Sequence, residues 1–235
     1  MLRKLCRLGR IIGITGIVAL ALWPYHDGAL RYGLPMSIFG LWSSVLISLW
    51  PRRVWRLGLL VLPILASIPF LLPGKPFNQP ELREHYVAAM RSFEGTRYLW
   101  GGEGGRGIDC SGLPRRAIRD ALLEEAWGHG NGTAFREWAN QWWFDTSAKA
   151  MGEGYRGFTR PIGIEGKLRG LDFKRLEPGD LAVTQSGVHV MIYLGDGTWI
   201  QADPKPGKVV ISKPASDPCV WFDMDVSIHR WAVME

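Results

Sequence analysis

Cysteine is scarce in this chain. There are three in 235 residues, Cys6, Cys110 and Cys219, and no two are spaced as C-x-x-C. An odd, scattered set of this kind excludes a disulfide framework and a cysteine-based zinc site. Histidines and acids do not cluster at metal-ligand spacing either, so no metal and no cofactor are expected. Acid is nearly missing from the first third: residues 1–73 hold eight Lys or Arg against one acid, Asp27. The rest of the chain carries 20 basic and 21 acidic side chains. The formal net charge of +6 therefore belongs to the N-terminal third. A nucleic-acid partner would need a basic patch on the folded domain, and this distribution argues against one.

Charge of either sign is missing from three apolar runs, 11–25, 34–50 and 57–72. The second and third approach the lower limit of about 17 residues for a spanning helix. Trp23, Tyr25, Tyr32, Trp50 and Trp55 flank the runs, as interface belts require. The expectation is a membrane segment over 1–73 with about three helices. Arg3, Lys4, Arg7 and Arg10 precede the first run, and Arg52, Arg53 and Arg56 lie between the second and third. The positive-inside rule puts both groups in the cytoplasm and everything after Pro73 outside. The first run also reads as a signal peptide, with Ala19-Leu20-Ala21 as a cleavage signal. Either way the C-terminal domain is exterior.

Residues 74–80 form a linker by their Pro and Gly content. A domain over 81–235 follows. Leu82, Tyr86, Val87, Met90 and Phe93 recur at helical spacing, which predicts an amphipathic scaffold helix ended by Gly95. Then come Tyr98-Leu99-Trp100-Gly101-Gly102 and Asp109-Cys110-Ser111-Gly112, with a helical pattern from there to about Trp127. Pro114 suits a first helical turn. Cys110 thus stands at a helix N-terminus, where the partial positive charge should favour its thiolate, and nearby backbone N–H groups are candidate oxyanion donors. Cys6 and Cys219 lack such a setting and read as small apolar filler.

Downstream, Pro178-Gly179-Asp180-Leu181 enters a strand, and a second strand is expected over 188–194. Asp196-Gly197 is a hairpin signal, with the return strand over 198–203. His189 then lies within reach of Gln201 across the hairpin, so that Cys110, His189 and Gln201 form nucleophile, base and orienter. His26, His85, His129 and His229 have no comparable setting. A segment of about 128–170 separates the two halves of the site; Trp138, Trp142, Trp143, Phe144 and Tyr155 within it are expected mainly to pack it against the domain. A lid or a glycan-stacking surface is the other reading of these aromatics.

The three blocks, in order and with the hairpin spacing kept, resemble the NlpC and P60 type of bacterial cell-wall cysteine peptidases. The resemblance covers about 81–233. It implies an α+β, papain-like domain whose catalytic N-terminal helix packs on a small antiparallel sheet, here preceded by transmembrane helices. It implies hydrolysis of peptide bonds in peptidoglycan stem peptides, with Tyr98, Asp109 and Ser111 matching substrate-binding positions. The location implied is the bacterial cytoplasmic membrane, multi-pass, with the catalytic domain outside. Two departures stand out. The third catalytic position, usually histidine, is Gln201, whose neutral amide is expected to accept the Nδ1–H bond of His189, with Asp203 as a charged substitute. The stretch from Cys110 to His189 is also long for the family. Two other functions stay open: a lipid acyltransferase or thioesterase of the same fold, marked by an apolar rather than a polar cleft, and a catalytically weak wall-binding module.

Overall fold

The computed structural model describes residues 2–235; Met1, at the start of the expected membrane segment, lies outside them. The chain divides into two compact units, Met1–Leu72 and Pro73–Glu235.

The first unit is three helices, α1 (Leu2–Ala21), α2 (Gly28–Leu49) and α3 (Arg53–Leu71). Asp27, the lone acid of this third, caps α2 by accepting from the Leu30 N–H at 3.1 Å. Among the described residues two helices, α2 and α3, are long and apolar enough to cross a membrane. The first apolar run differs from expectation. α1 begins at Leu2 and so takes in the basic positions through Arg10; its charge-free residues 11–21 rise only about 16 Å at 1.5 Å each, against a hydrocarbon core of about 30 Å. α1 packs closely on α2 through glycine: a Cβ at Gly13 would lie 2.8 Å from the Leu41 Cβ. Such close backbone approach is how helices associate without a hydrophobic driving force. Cys6 is buried, and its carbonyl accepts the Ser44 hydroxyl at 2.5 Å.

α3 contains Pro63 and Pro69. Pro63 has no N–H to give the carbonyl four residues back, that of Leu59. The Trp42 indole on α2 fills the gap, donating to the Leu59 carbonyl at 3.0 Å. In an apolar solvent a freed backbone group must be met by a neighbouring helix in this way.

The second unit is a mixed helix-and-sheet domain. It runs α4 (Gln79–Arg91), a short hairpin of β1 (Glu103–Gly104) and β2 (Gly107–Ile108), then α5 (Gly112–His129), α6 (Gly132–Trp143) and α7 (Ala148–Gly152). β3 (Thr159–Lys167), β4 (Leu181–Thr184), β5 (Val190–Gly195), β6 (Thr198–Asp203), β7 (Lys208–Ser212) and β8 (Asp225–Trp231) follow. They form one sheet in the order β3-β8-β4-β5-β6-β7, with every neighbouring pair antiparallel. Asp196 and Gly197 turn β5 into β6 with φ of 50° and 68°, the left-handed pair a tight hairpin needs.

Alternation along these strands sends Met191 and Tyr193 of β5 to one face. There they pack with Trp199 of β6, Ala182 of β4, Val226 and Ile228 of β8, and Phe222. Leu82, Tyr86 and Met90 of α4 are fully buried, and α4 meets the sheet where the Trp231 indole donates to the Tyr86 hydroxyl at 2.9 Å. The segment over 128–170 is more than an appendage, because it supplies α6, α7 and the edge strand β3 paired to β8. Its aromatics divide: Phe135 and Phe158 are buried in the core, while Trp138, Trp142 and Phe144 are half-buried. Trp143 and Tyr155 are 39% and 42% exposed; Trp142 and Trp143 lie ring to ring at 6.0 Å, and the Arg156 guanidinium covers Phe144 at 3.5 Å.

Candidate active site

Cys110 lies just before α5, at the mouth of its unsatisfied N–H groups. Its loop is closed by Asp109. One carboxylate oxygen accepts the Gly112 N–H at 2.6 Å and the Ser111 hydroxyl at 3.0 Å. The other accepts the Gly101 N–H at 2.7 Å. The Asp109 N–H in turn donates to the Gly102 carbonyl at 3.0 Å. A Cβ at Gly112 would strike that carbonyl, and one at Gly102 would lie 2.5 Å from the Gly107 carbonyl. The glycines on both sides of Cys110 are therefore there for close backbone approach. A buried ion-pair cluster holds the same loop from behind: Glu103 of β1 meets Arg115 at 3.0 Å and Arg119 at 2.9 Å on α5.

His189 stands one residue before β5, at the end of a turn rather than inside the expected strand. Thr184 grips it on both sides. Its hydroxyl accepts the His189 N–H at 3.1 Å, and its N–H donates to the His189 carbonyl at 3.0 Å. The imidazole is 1% exposed. Its Nε2 lies 2.6 Å from the Gln201 Oε1, and an amide oxygen only accepts, so Nε2 carries the proton. This corrects the expected partner atom: Gln201 takes Nε2–H, not Nδ1–H, which leaves the lone pair on Nδ1. The Cys110 sulfur packs against the backbone flanking this histidine, with the Val188 carbonyl at 3.9 Å.

The electrostatics reverse a second expectation. Burial, then the Asp109 charge, pushes the Cys110 thiol up to about 12; hydrogen bonding from the backbone of Val190, Ser111 and Cys110 itself offsets this only in part. Desolvation outweighs the helix end, because the sulfur is nearly sealed from water. Burial also pushes His189 down to about 4, against the pull of the Gln201 hydrogen bond and the Asp203 and Asp109 charges. Burial thus disfavours the charged form of both groups.

A family model described as NlpC/P60 matches residues 95–224, a span that contains Cys110, His189 and Gln201. The chain belongs to the NlpC/P60 family. Solved structures of NlpC/P60 proteins align with part of the chain. NlpC1 from Trichomonas vaginalis aligns at 20% identity and a TM-score of 0.43, over 63% of this chain and 43% of that one. The peptidoglycan hydrolase RipB from Mycobacterium tuberculosis aligns at 21% and 0.40, over 64% and 65%. The NlpC/P60 domain of the peptidoglycan hydrolase SagA aligns at 21% and 0.36, over 62% and 97%. The chain thus spans less than half the length of the first of these. No curated protein matches it.

Within this NlpC/P60 domain Tyr98 is half-buried. Its hydroxyl is pushed up to about 12 by burial and by the charges of Cys110, Asp109 and Asp203, so it remains a donor beside the cysteine. Asp203 does not stand in for Gln201. Its Oδ1 accepts from the Lys205 N–H at 3.0 Å and the Trp221 indole at 3.2 Å, and its Oδ2 faces Cys219. Trp221 stacks on the His189 ring, with centroids 4.0 Å apart and planes 13° off parallel. Cys219 touches the site as well: the Gln201 amide N–H donates to its sulfur at 3.2 Å. Sequence reading had no means of finding Thr184, Cys219 or Trp221, since each reaches the site only through the fold. Arg115 and Arg119 did offer a signal, two charges one turn apart on the buried side of a helix.

Proposed function

We propose that the second unit is a cysteine peptidase that cleaves a peptide bond in peptidoglycan stem peptides. The observation that carries this reading is the 2.6 Å contact between His189 Nε2 and the Gln201 Oε1: with Nε2–H given to that oxygen, Nδ1 is the basic nitrogen left to serve Cys110. In the free enzyme the pair rests as thiol and imidazole. When a substrate carbonyl docks, Nδ1 takes the thiol proton as sulfur attacks the carbon. Backbone N–H groups at the start of α5 receive the oxyanion. The imidazolium then protonates the leaving amine, and water hydrolyses the thioester. Tyr98, Asp109 and Ser111 hold the substrate. The Asp109 carboxylate has about four acceptor sites and spends three on its own loop, so one remains for a substrate amine.

The proposed setting is the bacterial cytoplasmic membrane. α2 and α3 anchor the chain there, and the enzyme domain lies outside. Digestion of purified stem peptides by the full chain, wild type against Cys110→Ala, tests the activity by mass spectrometry. Fragments from wild type alone are expected; no cleavage by either protein, or equal cleavage by both, overturns it.

One observation favours a second reading. Trp100, Val188 and Val220 are 77%, 55% and 53% exposed, and each adjoins a residue of the site. Exposed apolar side chains there suit an acyl chain, as a lipid acyltransferase or thioesterase would bind. Turnover of a medium-chain acyl thioester in preference to stem peptides is the result that would select it.

A further inference from the structure

The imidazole and three side chains beside it form a directed series. Nε2–H of His189 donates to the Gln201 oxygen at 2.6 Å. The Gln201 amide N–H donates to the Cys219 sulfur at 3.2 Å. The Cys219 thiol faces the Asp203 Oδ2 at 3.9 Å. Only one member has a fixed sense. Asp203, 6% exposed, is a carboxylate that accepts and never donates, so the thiol proton turns toward it and the sulfur presents lone pairs to Gln201. That orients the amide with its N–H end on sulfur and its oxygen on His189. A reversed amide would put oxygen against sulfur lone pairs and an N–H against Nε2. The ring would then move its proton to Nδ1, the nitrogen that must accept from Cys110.

We propose that Cys219 is a positioning residue which, governed by the charge on Asp203, fixes the Gln201 amide and through it the His189 tautomer. This rests on the reading of Cys110 and His189 as nucleophile and base. It also explains how a neutral amide serves at the orienting position: direction is supplied from two groups away, without a charge against the ring. Trp221 completes the enclosure, stacked on the imidazole while its indole is tied to the same Asp203.

The test uses the full chain labelled with 15N-histidine, as wild type, Cys219→Ala, Cys219→Ser and Asp203→Asn. Imidazole nitrogen shifts at pH 7 report the tautomer, and stem-peptide cleavage is followed in parallel. Wild type is expected to hold His189 as Nε2–H alone. Cys219→Ala and Asp203→Asn should show an Nδ1–H population, with kcat lowered about three- to tenfold, the worth of one neutral hydrogen bond, and KM unchanged. Cys219→Ser keeps a donor and acceptor in place and should restore most of both readouts. A single Nε2–H tautomer with undiminished kcat in Cys219→Ala would overturn the proposal. If wild type shows the pinned tautomer but cleaves no stem peptide, the peptidase reading fails while the hydrogen-bonded series stands.

Discussion

At the scale of single residues, burial disfavours charge on both the Cys110 thiol and the His189 imidazole. A thiol pushed up to about 12 beside an imidazole pushed down to about 4 should alkylate slowly. We expect the rate of Cys110 labelling by iodoacetamide to climb with pH beyond 9 without the neutral-pH plateau of a thiolate–imidazolium pair. Gln201→Glu places a carboxylate on Nε2 and should raise the His189 pKa and the labelling rate at pH 7. The same shifts bear on stability. His189 folds below its ordinary 6.5, so the unfolded chain takes up a proton that the native ring refuses. Stability should therefore fall as pH drops from 6.5 to 4, on the order of 3 kcal/mol for the full shift. Cys110 works in the other direction, losing stability as pH rises above its ordinary 9.0. Urea unfolding of the wild type should be hardest between those limits, with a flatter acid side in His189→Phe. The motifs made Cys110, His189 and Gln201 visible in the sequence, but not their charge state. A helix end is legible from one segment; the burial that outweighs it is built from several strands and loops.

At the scale of elements, the hairpin of β5 and β6 and the helix after Cys110 were readable because turn chemistry and helical spacing are local. The six-strand sheet was less so. β3 sits inside a stretch that looked like an insertion, and nothing local announces that Pro161 will lie opposite His229. The N-terminal helices carry their own test. Trp42→Phe keeps the ring but leaves the Leu59 carbonyl, freed by Pro63, without its donor. We expect a loss of about 1–3 kcal/mol for the first unit, seen as earlier unfolding in a detergent titration. Gly13→Leu should do more, since its side chain has no room against Leu41 and α1 must move off α2.

For the whole molecule, the charge ledger separates two bodies that differ in fold. The basic third holds the two long apolar helices, and the near-neutral remainder holds the NlpC/P60 domain. Removing residues 1–72 should move the protein from the membrane to the soluble fraction while stem-peptide cleavage per mole is retained. Cleavage that vanishes while the domain remains folded would mean that the helices do more than anchor it. Apolar runs showed where membrane helices could be; α2 and α3 are long and apolar enough to cross, while α1 has only residues 11–21 free of charge.

The burial of Cys110 has one more consequence. Burial, which pushes the thiol up to about 12, favours its protonated form at pH 7. The thiolate is the form that attacks peroxides and disulfides, so a thiol held protonated resists oxidation. Burial of the sulfur is thus a form of chemical protection as well as a cost to its ionisation.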